Sequence, residues 1–314
     1  MLSNNFMSRK SLLRGATLVA CNYLAGLLPN PFKKTPSAHA LTADNSLVVI
    51  KGADISKERV TRMVEAGFNA MGGIGAFIKP GMKVVVKPNI AWNSAPERAH
   101  NTNPHLVEAV VRMCVKRGAR VLVFDRSVSS AQLTYQNSGI AEAARRAGAS
   151  VEYIDSRKFR KVKVPGGLYN SDLSVYGDMI DADFVINMPI AKTHGSSTLT
   201  LSMKNLMGVL GGRRGFFHAD IHNSIVDFAK AIRVDLNIID ATRILTAYGP
   251  NGGDLKDVKE TRTIIMGRNM VTVDAYAVTL FNRRPDSIKF IAIAGREGMG
   301  EINVNKMTVR RLAV

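Results

Sequence analysis

The chain has 314 residues, 46% of them hydrophobic and 6% aromatic, with a formal net charge of +18 and a mean hydropathy near zero. That is enough apolar mass for one large core or two joined ones, and it excludes both a disordered chain and a polytopic membrane protein. Only two cysteines are present, which excludes four-cysteine zinc or iron–sulfur sites.

Residues 1–40 read as an export signal. Ser8-Arg9-Lys10-Ser11-Leu12-Leu13-Arg14 forms a basic n-region, Ala16 to Leu28 is mostly apolar, and Ala38-His39-Ala40 is a small-x-small cleavage site. Ser-Arg-Lys-x-Leu-Leu is similar to a twin-arginine signal with Lys for the second Arg, and the general secretory route is the alternative. Leu18-Val19-Ala20-Cys21 has the look of a lipoprotein box. Only Gly15, Ala16 and Thr17 separate it from Arg14, too few for an h-region. The location expected is periplasmic or extracellular, with no transmembrane span once the signal is removed. Removal takes away Cys21 and five positive charges, leaving +13. Cys114 then stands alone, in an apolar helical pattern that makes it a core residue.

From 41 to 314 strand-like and helix-like segments alternate as one α/β domain. Leu47–Lys51 reads as a strand. Ser56–Phe68 reads as a helix with Val60, Met63, Val64 and Phe68 on one face. Lys83–Lys87 is a strand closed by Pro88-Asn89. Pro104 opens a helix that Gly118 ends. Arg120–Asp125 is a strand, Ile140–Ala147 a helix, and Val151–Asp155 a strand. The stretch Ser156–Asp178 is irregular. Strands return at Phe184–Met188, Leu236–Asp240 and Thr263–Met266, with a last edge strand at Met307–Leu312. Helices are predicted at Thr198–Val209, Ser224–Ile232, Thr272–Phe281 and Ser287–Ala294. The recurring unit of strand, helix, Gly and strand predicts a mostly parallel sheet with flanking helices in β-α-β crossovers.

Ligands of open parallel sheets sit beyond the carboxyl ends of the strands. Lys87-Pro88-Asn89, Asp125-Arg126-Ser127, Lys192-Thr193-His194 and Asp240 fall at such ends. Lys192 and His194 are expected in a loop after a strand, followed by Lys204-Asn205, by Gly208, Gly211 and Gly212, and by Arg213-Arg214. Ammonium, guanidinium and free backbone N–H groups suit a carboxylate or phosphate. The expected ligand contacts are Lys87, Asn89, Lys204, Asn205 and Arg213, and the expected chemistry falls to His194, Lys192 and Asp240. The glycine spacing is neither a Walker nor a dinucleotide fingerprint. No basic run interleaved with aromatics marks a nucleic-acid face. His218 and His222, four apart, share a face if helical. With His194 they form a candidate divalent-metal set, against a reading as capping or anion-binding imidazoles.

Val86-Lys87-Pro88-Asn89, Asn103-Pro104, Gly118-Ala119-Arg120-Val121, Lys192-Thr193-His194, Lys204-Asn205-Leu206-Met207-Gly208, His218 and His222, Ile239-Asp240-Ala241, Gly249-Pro250 and Val273-Asp274-Ala275 together resemble the family called domain of unknown function 362. The likeness runs from about Lys83 to Glu301. It implies an α/β fold and no particular reaction. Many members carry a ferredoxin-like segment, whose cysteines this chain lacks, so no iron–sulfur cluster is expected. At longer range the layout looks like lactate racemases, which use His and Lys around a nickel-pincer nucleotide. The reading that follows is an exported enzyme acting on a small anionic substrate, with metal or cofactor assistance left open. The alternatives are a non-catalytic anion- or metal-binding protein and a wall-associated basic protein.

Overall fold

A computed structural model describes residues 44–314. The export signal assigned to residues 1–40 lies outside the described residues. The strands are β1 (Ser46–Lys51), β2 (Lys83–Pro88), β3 (Arg120–Val123), β4 (Ser150–Val151), β5 (Phe159–Lys163), β6 (Asp172–Tyr176), β7 (Phe184–Met188), β8 (Ile190–His194), β9 (Thr198–Thr200), β10 (Leu236–Leu245), β11 (Val258–Gly267) and β12 (Thr308–Ala313). The helices are α1 (Lys57–Ala70), α2 (Pro104–Lys116), α3 (Ala131–Asn137), α4 (Ile140–Arg146), α5 (Gly177–Ile180), α6 (Ser202–Asn205), α7 (Arg214–His218), α8 (Ile221–Ala231), α9 (Met270–Val278) and α10 (Lys289–Arg296).

The main sheet runs β12-β1-β11-β10-β7-β2-β3-β4, with β8 on β10 and β9 on β8. The β2, β3, β4 and β7 ladders are parallel, as are β7 and β8 on β10. The β1–β11, β10–β11 and β8–β9 ladders are antiparallel. This is the mostly parallel α/β sheet the alternating pattern predicts.

Alternation along each strand divides the core into two layers. Val48, Ile50, Val84, Val86, Ile238 and Ile264 face one side, packed with Val60, Met63 and Phe68 of α1 and Leu106, Val110 and Val111 of α2. Leu47, Val49, Val85, Ile239 and Ile265 face the other, packed with Phe228 of α8, Val273 of α9 and Phe290 of α10. Each large apolar side chain buried this way contributes roughly 2 kcal/mol. Cys114 is buried in the first layer, where the apolar surroundings push its thiol up to about 12. The helix starts follow the sequence: Ser56 caps α1 through Arg59 N, and Asn103 caps α2 ahead of Pro104.

Three segments differ from the sequence reading. The irregular stretch 156–178 contains an antiparallel hairpin, β5–β6. Its strands carry a charged outer face that hides their period. Thr198–Thr200, predicted as the start of a helix, is instead strand β9. The β-branched Thr198 and Thr200 pair with β8, and the helical turn begins only at Ser202. Lys192-Thr193-His194, predicted as a loop, is the end of β8, pinned between β9 and β10. Strands β10 and β11 are also twice as long as predicted, since their antiparallel pairing continues past the apolar run.

Candidate functional site

The polar residues at the carboxyl ends of β2, β3, β7 and β8 meet in one buried basic cluster. Lys87 is fully buried at the end of β2. Its Nζ donates to Asp125 Oδ1 at 2.7 Å and to Pro88 O at 2.9 Å. Burial lowers its pKa, and Asp125 opposes the shift. Asp125 also accepts from Ile90 N at 2.6 Å. Lys87, whose position at a strand end predicts a ligand contact, is thus engaged in an internal ion pair. Gly208 makes the pair possible: a Cβ there would lie 1.8 Å from Asp125 Oδ1 and 2.8 Å from Lys87 Nζ.

Lys192 is also buried. It donates to the His100 carbonyl and, at 3.3 Å, to Asn89 Oδ1. Burial pulls its pKa down to about 7, helped by the Lys204 and Lys87 charges against that of Asp125. From Asn89 a chain of buried carboxamides continues. Asn89 donates to Asn205 Oδ1 at 3.1 Å, Asn205 to Asn187 at 2.8 Å, and Asn187 to Asn237 at 3.2 Å. Each amide both gives and receives, which fixes its orientation and leaves no buried polar end loose. Asn89 and Asn205 therefore set the position of Lys192.

Lys204 differs from the other two lysines. It is 7% exposed, and its Nζ finds only Met207 Sδ, at 3.8 Å. It takes part in no ion pair among the described residues. Burial brings its pKa down to about 8, and Arg214 pushes the same way. Arg214 is half-buried. It donates through Nη2 to the Arg126 carbonyl, while its Nε is buried without a partner. Burial also lowers its pKa.

Two imidazoles complete the cluster. His194 and His218 stack with ring centroids 6.3 Å apart and planes 14° from parallel. His194 Nδ1 lies 3.1 Å from Ser196 N and 3.4 Å from Ser197 N, both of which donate to it. Its proton therefore sits on Nε2. Burial, then Lys204, Lys192 and His218, hold its pKa down at about 3, so the ring is neutral at physiological pH. Thr198 in the same hairpin has φ +67°, a strained backbone for a β-branched residue and of a kind that gathers at functional sites. His218 is exposed and marks the side from which solvent reaches the cluster.

Asp240 does not end its strand. It lies midway along β10, fully buried, and accepts from Asn103 N at 2.7 Å, Thr242 N at 2.9 Å and Thr242 Oγ1 at 2.7 Å. Burial raises its pKa. Its bond to Asn103 holds down the segment whose His100 carbonyl receives Lys192, which is a positioning role. Asp274 works similarly. It accepts from Ser202 N and Met203 N at 2.7 and 2.9 Å and so caps the short helix α6 that carries Lys204 and Asn205.

His218 ends α7 and His222 lies in α8, with Asp220 capping the break between them. The four-residue spacing therefore spans two helices. His222 feels Lys289 and Asp220 rather than the cluster. Among the described residues no three His, Cys, Asp or Glu side chains are grouped to hold a metal ion, so the predicted His194, His218 and His222 set is not assembled. Arg213 is exposed, and its neighbour Arg214 is the one turned inward. Sequence reasoning also missed His100, which is 3% exposed, and the role of Gly208. No periodicity signals either one, because each acts through residues far away in the chain.

Two concavities flank the cluster. One, of about 590 Å³, has His100 in its wall. The other, of about 420 Å³, is lined by Asp125, Arg126, Gly211 and Gly212. Lys192 and Lys204 line neither and lie behind these walls.

The sequence profile of the family described as "Domain of unknown function (DUF362)" matches residues 84–279, a span that holds every member of the cluster. A thylakoid-associated protein of Synechocystis sp. is 30% identical over 203 residues, covering 60% of this chain. The chain spans about 60% of the length of that relative. Among solved structures, the lactate racemase apoprotein of Thermoanaerobacterium thermosaccharolyticum aligns with a TM-score of 0.36 and 11% identity, over 63% of this chain and 50% of that one.

Proposed function

This chain belongs to the DUF362 family, and from that premise we propose that it binds a small carboxylate or phosphate among Lys192, Lys204, Arg214, His194 and His218 and acts on it by proton transfer. The observation that carries this reading is the Lys204 ammonium. Among the described residues it is buried with a thioether as its only partner, in a cluster whose one carboxylate, Asp125, is already taken by Lys87. An uncompensated buried cation is costly, and an anion that fills the gap recovers much of that cost. The chemical step rests on neutral groups beside the anion. A lysine held at about 7 is a proton acceptor at neutral pH, and the neutral His194 ring, whose Nδ1 is taken by two backbone N–H groups, offers its Nε2–H to the anion. The anion approaches from the exposed His218.

The test is calorimetric titration of the folded protein with inorganic phosphate and with small hydroxy- and keto-carboxylates, alongside proton NMR in deuterated water. Binding in the micromolar to millimolar range is expected, with Lys192→Met and His194→Ala losing solvent exchange into the carboxylate. Failure of every anion to bind overturns the site. Binding with no exchange or turnover overturns the enzyme reading and leaves an anion-binding protein. We also propose that the protein works outside the cytoplasm, on the strength of residues 1–40. Protein recovered from the cell envelope should have an intact mass that begins after Ala40, and a chain found only in the cytoplasm at full mass would overturn that assignment.

A further inference from the structure

A second concavity lies beyond the carboxyl ends of β2 and β3. It encloses about 590 Å³, within the roughly 300–1,000 Å³ of small-molecule sites. Trp92, Ser94 and Arg98 come from the segment after β2, Ser129 and Asn137 from the segments after β3, and Asn251 from the turn after β10. Trp92 is the only tryptophan of the chain.

The segment that carries Trp92 is held rigidly from behind. Asn101 Oδ1 accepts from both Ala91 N and Trp92 N at 3.0 Å, and its Nδ2 donates to Trp92 O at 2.8 Å and to Ser94 O at 3.3 Å. Across the rim, Asn137 Nδ2 donates to Asn93 Oδ1 at 2.7 Å. One buried side chain thus clamps four backbone groups, and the backbone that carries the indole is placed before any ligand arrives, which lowers the ordering cost of binding.

The lining has its own chemistry. It offers one aromatic plate, several carboxamides and hydroxyls, one guanidinium, and no carboxylate. Without an acid it does not suit a cation. With so many polar groups it does not suit an apolar ligand. With a single cation it does not suit a polyphosphate. Among the described residues Ser94 Oγ is buried in this wall with no hydrogen-bond partner. Among the described residues the only side-chain contact of Arg98 is a 3.5 Å approach to Gly253 O, which leaves its fork free for a bidentate partner. A ring with one C–H face, hydroxyls around its edge and one carboxylate meets all of these demands. We infer that the Trp92 cleft binds a sugar acid, its ring lying on the indole and its carboxylate on Arg98.

This goes beyond the anion reading of the basic cluster and does not depend on it. His100 divides the two sites, with its ring nitrogen 3.2 Å from Gly252 O on the cleft side and its carbonyl taken by Lys192 on the other. The single tryptophan allows a direct test by indole fluorescence during titration of the folded protein with glucuronic acid and with glucose. Glucuronic acid should give a saturable change at a dissociation constant of about 1 mM or tighter, with glucose weaker. Arg98→Ala should weaken glucuronic acid about tenfold and bring it level with glucose, and Asn251→Ala should weaken both. The inference is overturned if neither sugar moves the fluorescence or if the two variants titrate like the parent protein.

Discussion

Lys204→Met should make the protein more stable and at the same time unable to hold an anion. The ammonium is buried with only Met207 Sδ beside it, so methionine keeps the apolar stem and discards the desolvated charge. A drop in pKa from 10.5 to about 8 is worth roughly 3 kcal/mol of folding stability at neutral pH. In a domain of this size that is a rise of about 5–10 °C in Tm. The anion-dependent rise in Tm that the parent protein should show with phosphate is expected to vanish in the variant. Thermal unfolding with and without phosphate reads both effects. A fall in Tm, or an undiminished phosphate shift, would mean that Lys204 is paired in a way the structure does not contain.

The same cation sets a pH signature. A lysine with a lowered pKa loses its proton in the folded chain while the unfolded chain still holds one, so stability rises with pH between the two values. For Lys204 the window runs from about 8 to 10.5, and for Lys192 from about 7 to 10.5. The anion-free protein should therefore gain stability as pH climbs from about 7, and Lys204→Met should flatten that slope. At the acid end His194 acts in the same sense. Its ring stays neutral in the fold down to about 3, whereas the unfolded chain takes up a proton near 6.5. Stability from this group is lost as pH falls below that value.

Gly208→Ala should be strongly destabilising. The new methyl would sit 1.8 Å from Asp125 Oδ1 and 2.9 Å from its Cγ, where no flexible tip is free to yield. The Lys87–Asp125 pair would have to part inside the core, and a split buried ion pair costs about 3–5 kcal/mol. Gly195→Ala is the matched control. Nothing lies within 4 Å of its added methyl, so it should change stability by less than about 0.5 kcal/mol. Chemical denaturation of the two variants side by side decides the matter. If they unfold together, the buried pair is not what holds the ends of β2 and β3 in place.

The local readings that succeeded were those with a local cause. Val60, Met63, Val64 and Phe68 recur at helical spacing and all are buried, because a helix that buries one face must space its apolar residues that way. The continuous apolar run Leu47–Ile50 likewise marks a strand buried on both faces. Segments whose form depends on a distant partner were misread. Thr198–Thr200 is a strand only because β8 lies alongside, and 156–178 pairs with itself behind a charged face. Asp240 looked like the end of a strand because the apolar run stops there, yet its pairing with β11 continues to Leu245.

For the site, the sequence by itself determined which chemical groups are available. Lys87, Lys192 and His194 are basic side chains at strand ends, with Lys204 and the paired arginines in the segments that follow, and an excess of cations there follows from composition and order alone. What only the tertiary structure decided is which of these cations are free. Asp125 reaches Lys87 across 38 positions and neutralises it. Asp240 turns away to hold Asn103. A break at Asp220 separates His222 from His218, and the inward turn of α7 chooses Arg214 over Arg213. The physical reason is that charge pairing and desolvation act through space over a few ångströms, whereas periodicity acts along the chain. A sequence can show where the charges are, but only folding determines which of them are left without a counterion.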